Sequence, residues 1–400
     1  MGTRNPPLSQ RLSLELQLLA SICEWPNQVD DTSSIQDLAS RVEDWDLFNQ
    51  IARRHQLQGF AHAQLREVVS VPQWLKDLWI QEARRRVMMN VNQARDAVRL
   101  HGVLEDEGIA NIVLKGLPLA ERIYGSLAIT VSGDIDFLVQ PSNAARALRL
   151  LEKQGYCACL TAKPLTQMQA ATVIRHHKEI TLRHDDGGII DLHWRLVDAP
   201  QILAGIKPFE NARKVTIKKL GHCKILGEAD EFAYLCAHGA LSDWNHLKWL
   251  CDIHRLLKTY QPDGLRALVA HADSLAAGPC AMQALAMREV IFAEPIPKAI
   301  ASMADKLPNA ENLHFFLDRV EQIGTPPSLR DRVTQIWRQA KARRDLYARP
   351  TEAIFNLRSH LFALPDILAL PLPSSLDFLY LPLRPFLWLK RRFSPNTQAP

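Results

Sequence analysis

Two aspartates separated by one residue, Asp134 and Asp136, are the side chains in this sequence that most directly suggest chemistry. In a β-strand, residues i and i+2 point to the same face, so the two carboxylates would lie side by side. Such a pair repels itself, and Asp is unfavourable in strands unless a cation or solvent compensates. Mg2+ prefers carboxylate oxygens. The pair therefore predicts a metal site, with two solvated aspartates at a strand end as the alternative.

A lysine and a glycine lie where a phosphate-binding turn would be expected. Lys115 and Gly116 follow a short apolar segment and precede a predicted helix that starts near Pro118. Glycine allows a phosphate to approach the backbone closely, and a helix N-terminus favours anions. The ammonium of Lys115 adds positive charge.

A third carboxylate is predicted on a later strand. Asp191 alternates with apolar residues in the segment IIDLHWRL, which places it on a polar strand face together with His193. A third aspartate beside the first pair would complete a site for two metal ions, or would act as a base on an attacking hydroxyl. His193 would orient a phosphate or an acceptor; a hydrogen-bonded histidine within the sheet is the alternative.

The elements around these residues alternate between strand and helix patterns. Apolar segments and turn signals predict a helix over 144–154 and strands over 109–114, 129–139, 156–160, 179–183 and 189–195, with a strand pair within 215–225. The Asp-Asp-Gly-Gly sequence at 185–188 predicts a hairpin turn. This order indicates a small mixed sheet with helices packed on it.

Helical periodicity dominates both sides of this region. Helices are predicted over 8–24, 44–68, 73–107, 232–241, 247–259 and 330–347. The predicted fold class is therefore α+β, with a small mixed-sheet core at 109–227 between helical regions at 1–108 and 228–400. The last of these includes a Pro-rich tail.

Composition excludes several classes of protein. The chain has 400 residues, 47% of them hydrophobic, and a net charge of +5, which gives no strong signal for nucleic-acid binding. Its seven cysteines form no CxxC pair, so free thiols in a reducing compartment are expected. A secretory signal and a membrane-spanning stretch are both missing from the sequence pattern. The predicted location is the cytoplasm.

The combined motifs resemble the polymerase-beta-type nucleotidyltransferase superfamily, and more closely the family of uncharacterised nucleotidyltransferases. The resemblance covers roughly residues 85–260. It rests on VLKGLPLAERIYG at 113–125, GDIDFLV at 133–139, the His-His-Lys sequence at 176–178, DLHWRL at 191–196 and HGALSDWNHLKWLCDIHRLL at 238–257. The core fold that this resemblance implies is the small mixed sheet predicted above.

The resemblance also implies an activity. It is the transfer of a nucleoside monophosphate from an NTP, with ATP the expected donor, to a small-molecule, sugar or peptide acceptor. Mg2+ would be held by Asp134, Asp136 and Asp191, and Ser132 and Gly133 would contribute a backbone contact to the nucleotide. Relatives commonly carry arginine four residues before the first aspartate, where this chain has Thr130. A catalytically degenerate nucleotide- or partner-binding protein is therefore one alternative, and a regulator that transfers AMP to proteins is another.

Other polar residues invite weaker interpretations. The spacing of His176, His177 and His193 matches no zinc motif, so zinc is not expected. His238 and Asp252 are candidates for lining a cleft, although core positions are the simpler interpretation. The tail sequence LYLPLRPFLWLKRRF would suit either a membrane surface or packing on the helical region. Packing is the simpler view, because its two prolines are expected to interrupt a long helix.

Overall fold

The computed structural model describes residues 12–24, 32–130, 132–161, 163–217, 219–321, 329–347 and 362–393. The chain has an α+β fold in which helices surround a small mixed sheet. The five strands of that sheet are β1 (Asn111–Val113), β2 (Ile135–Val139), β3 (Cys157–Ala158), β4 (Glu179–Arg183) and β5 (Ile189–His193). Two further strands, β6 (Arg213–Ile217) and β7 (Gly221–Ile225), pair separately. The predicted fold class is confirmed.

Helices make up most of the remaining described structure. Before β1 lie α1 (Leu14–Ile22), α2 (Thr32–Arg41), α3 (Trp45–Arg54), α4 (Gln58–Leu65) and α5 (Gln73–Asp106). Within the sheet region lie α6 (Leu117–Tyr124), α7 (Ala144–Lys153) and α8 (Gln167–His176). After β7 come α9 (Glu228–Leu241), α10 (Leu247–Leu257), α11 (Pro262–Ser274), α12 (Gly278–Phe292), α13 (Ala310–Glu321), α14 (Leu329–Arg344), α15 (Leu364–Ala369) and α16 (Tyr380–Phe393).

The strand order β1-β2-β5-β4-β3 places β2 beside β5. These two strands are parallel, while the other neighbouring pairs are antiparallel. In the register of β2 and β5, Asp136 is directly opposite Asp191. Two aspartates that are 55 positions apart in sequence therefore meet on adjacent strands. The parallel pairing is what assembles the candidate site.

Both faces of the sheet are covered. Phe137, Val139 and Leu192 join a buried cluster that includes residues of α7 and α8, as well as the second half of α5. Ile112 and Leu138 face the other way, into a larger cluster made with α1, α3, α4 and α9 to α12. Asp136 alternates with Phe137 and therefore lies on the side of this larger helical cluster. The site is thus sandwiched between the sheet and the helices.

Several sequence predictions need correction. Asp134 was placed on a strand with Asp136, but β2 begins at Ile135, so Asp134 lies in the loop just before it. The helix predicted over 44–68 is two helices, because Gln56 between them has a left-handed φ of 59°. Helices α2, α11, α12 and α13 lie in regions predicted to be helical, but no bounds were predicted for them; helix α8 was not predicted.

The hairpin prediction at 185–188 is confirmed by two backbone hydrogen bonds, from His184 N to Gly188 O and from Gly187 N to His184 O. The tail prediction is wrong in one respect. Helix α16 continues through Pro385, although proline was expected to interrupt it. The boundaries proposed at 108 and 227 stay a prediction. Among the described helices, none is both long and apolar enough to cross a membrane.

Candidate active site

The core of the site is formed by Asp136 on β2 and by Asp191 and His193 on β5. Ligand atoms of these three side chains all lie within 4.8 Å of one another. Asp136 and His193 are 2% exposed, whereas Asp191 is half-buried. The parallel register and the two-residue spacing of β5 direct all three toward one face of the sheet. The structure therefore brings together two of the three aspartates by strand pairing alone.

Asp136 is held by two positively charged neighbours. Lys115 Nζ lies 2.8 Å from its Oδ2, and His193 Nε2 lies 3.1 Å from its Oδ1. Burial alone would raise the pKa of Asp136, but Lys115 and the hydrogen bond from His193 hold it well below its ordinary value. Asp136 is thus an ionised carboxylate. Its charge explains why Lys115, which is itself largely buried, keeps its proton.

His193 bridges two carboxylates. Its second ring nitrogen, Nδ1, lies 2.9 Å from Glu179 Oε2, and Glu179 in turn pairs with Lys178. Burial opposes a charged imidazole, but the contacts with Asp136 and Glu179 raise the pKa of His193. The Nε2 atom of His193, hydrogen-bonded to Asp136, orients that carboxylate, whereas Nδ1 lies close to Glu179 without hydrogen-bond geometry. Positive and negative side chains therefore alternate in one continuous row: Lys178, Glu179, His193, Asp136 and Lys115.

Asp134 and Asp191 are less fully compensated. Burial and the neighbouring Asp136 raise the pKa of Asp134 to about 6, with Lys115 opposing the shift. Burial also raises the pKa of Asp191, with a hydrogen bond to Thr181 opposing this shift and Glu179 and Asp136 adding to it. The Oδ1 atom of Asp191 is buried and has no hydrogen-bond partner among the described residues. These two carboxylates would gain most from a bound cation, so the donor set fits a hard divalent metal.

The turn at Lys115 and Gly116 has the geometry of a close backbone approach. Gly116 caps α6 with φ 76° and ψ −131°, a conformation that favours glycine. A Cβ at this position would lie 3.0 Å from Ser132 Oγ, so the turn and the loop before β2 face each other. Ser132 Oγ donates to the carbonyl of Asp134 at 3.0 Å. Gly133 is exposed, with open space where its Cβ would be.

A polar cavity of about 440 Å³ opens beside this loop. It is lined by Ser132 and Gly133, by polar residues of α5 that include Asn92, Gln93 and Arg95, and by the turn between β4 and β5. The cavity therefore adjoins the loop at Ser132 and Gly133, but Lys115, Asp134, Asp136 and Asp191 are not among the residues that line it.

Sequence reasoning missed Tyr234, and it did not favour a site position for His238. Both lie on α9; Tyr234 is fully buried and His238 is half-buried, and the Tyr234 Oη and His238 Nε2 atoms have no hydrogen-bond partner among the described residues. Burial and then Asp136 raise the pKa of Tyr234, while burial and then Lys115 lower that of His238 to about 3. Their four-residue spacing puts both on one helix face, a signal that could have paired them.

Other predicted candidates lie in structural networks. Asp252 accepts hydrogen bonds from Tyr124 Oη at 2.9 Å and Lys248 Nζ at 2.8 Å, which joins α6 to α10. Thr130 is fully buried, and its carbonyl accepts a hydrogen bond from Asn90. Outside this site, the other described cluster with metal-ligand spacing is Glu24, His254 and Glu294. Lys258 and Arg288 already neutralise its carboxylates.

His176 and His177 do not take part in the site. His176 Nε2 lies 3.1 Å from Asp377, and His177 Nε2 lies 2.8 Å from the carbonyl of Phe362. Both residues therefore serve the attachment of the tail to the core. Neither belongs to a group with metal-ligand spacing among the described residues, so no zinc site is proposed here.

The mixed sheet with clustered aspartates on neighbouring strands is consistent with a nucleotidyltransferase domain. Residues 41–293, more than half of the chain, match the family described as uncharacterised nucleotidyltransferase. The chain belongs to that family, and the resemblance seen in the sequence is confirmed. A search of curated proteins found no match.

Proposed function

We propose that this protein transfers a nucleoside monophosphate from an NTP to an acceptor and releases pyrophosphate. The observation that carries the proposal is the cluster of Asp136, Asp191 and His193, whose ligand atoms lie within 4.8 Å of one another, with Asp134 in the loop just before β2. Such carboxylates are costly to bury unless a ligand repays the cost, and they border a turn shaped for close backbone approach. ATP is the expected donor.

The residues of the candidate active site have the following proposed roles. Asp134, Asp136 and Asp191 would hold Mg2+, two ions of which would polarise the transferred phosphate and activate the acceptor. Lys115, Gly116, Ser132 and Gly133 would bind the triphosphate through one ammonium and through backbone and hydroxyl groups. Positioning and electrostatics would supply most of the rate.

His193 has a different part in this proposal. Its Nε2 lies 3.1 Å from Asp136 Oδ1 and its Nδ1 lies 2.9 Å from Glu179 Oε2, and these contacts orient the Asp136 carboxylate. Tyr234 Oη and His238 Nε2 are buried polar atoms on α9 that have no hydrogen-bond partner among the described residues. The acceptor in this proposal is a small molecule, a sugar or a peptide.

The proposal is tested by incubating the purified protein with α-labelled ATP, Mg2+ and an extract fractionated into small molecules and peptides. We expect pyrophosphate release and a labelled product with at least one fraction. Asp134→Asn and Asp191→Asn should each lower the rate by more than about 1,000-fold, since each removes a charge that acts on the transition state.

Asp185→Asn is the matched control, because Asp185 is an exposed aspartate in the turn before β5. Its rate should equal that of the unmodified protein. Retention of activity within about tenfold in Asp134→Asn or Asp191→Asn would remove the basis of the proposal. Binding of ATP without pyrophosphate release in every fraction would instead support a degenerate nucleotide-binding protein.

A further inference from the structure

Helix α16 and the short turn before it expose six large apolar side chains. Leu376 is 38% exposed, Phe378 68%, Leu381 64%, Phe386 69%, Trp388 48% and Leu389 44%. At 100° per residue, the four that lie in the helix cover one broad side of it. Exposed apolar groups that are scattered singly are ordinary, whereas a contiguous aromatic and aliphatic face marks an interaction surface.

The opposite side of α16 is packed against the protein. Tyr380 is 1% exposed; its Oη accepts from Leu372 N at 3.1 Å and donates to Leu370 O at 2.8 Å. Leu383 packs against the cluster that also contains the sheet residues. The helix therefore has a buried inner side. Its outer apolar face is exposed although the segment itself is well packed.

A polar contact fixes this orientation. Arg175 at the end of α8 binds Asp377 in a bidentate pair, with distances of 2.9 Å from Nε and 2.7 Å from Nη2. The same Nη2 donates to Leu372 O at 2.9 Å. These two parallel charge-assisted hydrogen bonds fix both the position and the direction of the segment that leads into α16. The apolar face is thus displayed outward from a fixed base on the core.

The charge of the segment identifies what covers it. Residues 378–393 contain Arg384, Lys390, Arg391 and Arg392, and no Asp or Glu. A second copy of the chain laid on this face would bring two sets of like charges together. An anionic lipid surface instead satisfies both features, since Phe, Trp and Leu enter the headgroup boundary and basic residues attract the headgroups.

We propose that α16 docks this protein onto a membrane surface rich in anionic lipids. The helix lies in the plane of the interface, with Phe378, Leu381, Phe386, Trp388 and Leu389 inserted. This proposal does not depend on the transfer activity. It also reverses the simpler expectation from the sequence, because the tail packs on the core with one side and leaves the other side for lipid.

The test is flotation of the purified full chain with vesicles of equal parts phosphatidylglycerol and phosphatidylcholine, and with vesicles of phosphatidylcholine alone. We expect binding to the anionic vesicles, weakened by raising the salt concentration. Trp388→Ser together with Phe386→Ser should lower the bound fraction about tenfold or more. Trp337→Ser is the matched control, because Trp337 is an exposed tryptophan on α14 and is 74% exposed.

Three results would overturn the proposal. The first is no flotation with anionic vesicles, and the second is equal binding by the double variant and the Trp337→Ser control. The third is a dimer, measured by light scattering, that the double variant converts to a monomer without any vesicle binding, which would assign the face to self-association. Unchanged circular dichroism and unchanged thermal unfolding of the variants would show that they fold, as expected for exposed positions.

Discussion

At the scale of single residues, the three aspartates of the site differ in how far the protein compensates their negative charge. Asp136 has Lys115 and His193 as ion-pair partners, so its negative charge is compensated within the protein. Asp134 lies next to that charge, and burial together with Asp136 raises its pKa to about 6. The site therefore stores unfavourable electrostatic energy in Asp134, which a bound cation would relieve.

This difference predicts that Asp134→Asn stabilises the protein in the absence of metal. A raised carboxyl pKa in the folded state means that ionisation costs folding free energy, and this cost is fully present above about pH 6. We expect the free energy of unfolding to rise by on the order of 1–2 kcal/mol at pH 8. The gain should shrink as pH falls from about 6 toward the ordinary pKa of Asp.

Urea unfolding at pH 8 and pH 4, with EDTA present, measures this effect. The Asp185→Asn control, at an exposed position, should change stability by less than about 0.5 kcal/mol at both values. A loss of stability in Asp134→Asn at pH 8 would show that Asp134 is compensated within the protein, contrary to the account given above.

At the scale of elements, the turn between β1 and α6 carries a strict backbone requirement. Gly116 adopts φ 76° and ψ −131°, and any Cβ would press on Ser132 Oγ at 3.0 Å. Gly116→Ala should therefore lower the free energy of unfolding by about 1–3 kcal/mol. It should also weaken binding of Mg-ATP, because the turn and the loop at Ser132 must move apart.

Gly102→Ala is the opposite case within the same protein. Gly102 lies inside helix α5, and no atom lies within 4 Å of where its Cβ would be. Alanine there should stabilise the protein by about 0.5–1 kcal/mol and leave nucleotide binding unchanged. Thermal and urea unfolding of both variants, with calorimetric titration of Mg-ATP, checks the pair. Equal stability of the two variants would contradict the backbone argument.

The strand patterns show what the sequence could predict about elements. Alternation with Ile190 and Leu192 placed Asp191 and His193 correctly on one face of a strand. The strand predicted over 129–139 began six residues too early, because β2 begins only at Ile135, where its pairing with the neighbouring strands begins.

At the scale of the whole molecule, the site depends on elements that are distant in sequence. The pairing of β2 with β5 brings Asp136 to Asp191, and α9 adds Tyr234 and His238 from the C-terminal helices. The local sequence was enough to single out the aspartates as site candidates, because each lies in or next to an apolar segment of strand type. It could not show that a buried helix contributes Tyr234, since that depends on how the helical cluster packs over the sheet.

The central claim is that Asp134, Asp136 and Asp191 together make a metal-dependent nucleotide site, and nucleotide binding tests it most directly. Calorimetric titration with α,β-methylene-ATP, which cannot release pyrophosphate, measures binding without turnover in Mg2+ and in EDTA. The account predicts that affinity falls at least about tenfold when Mg2+ is removed, and to a similar extent in Asp191→Asn with Mg2+ present. Asp185→Asn should bind normally. Equal affinity in Mg2+ and EDTA, unaffected by Asp191→Asn, would contradict it.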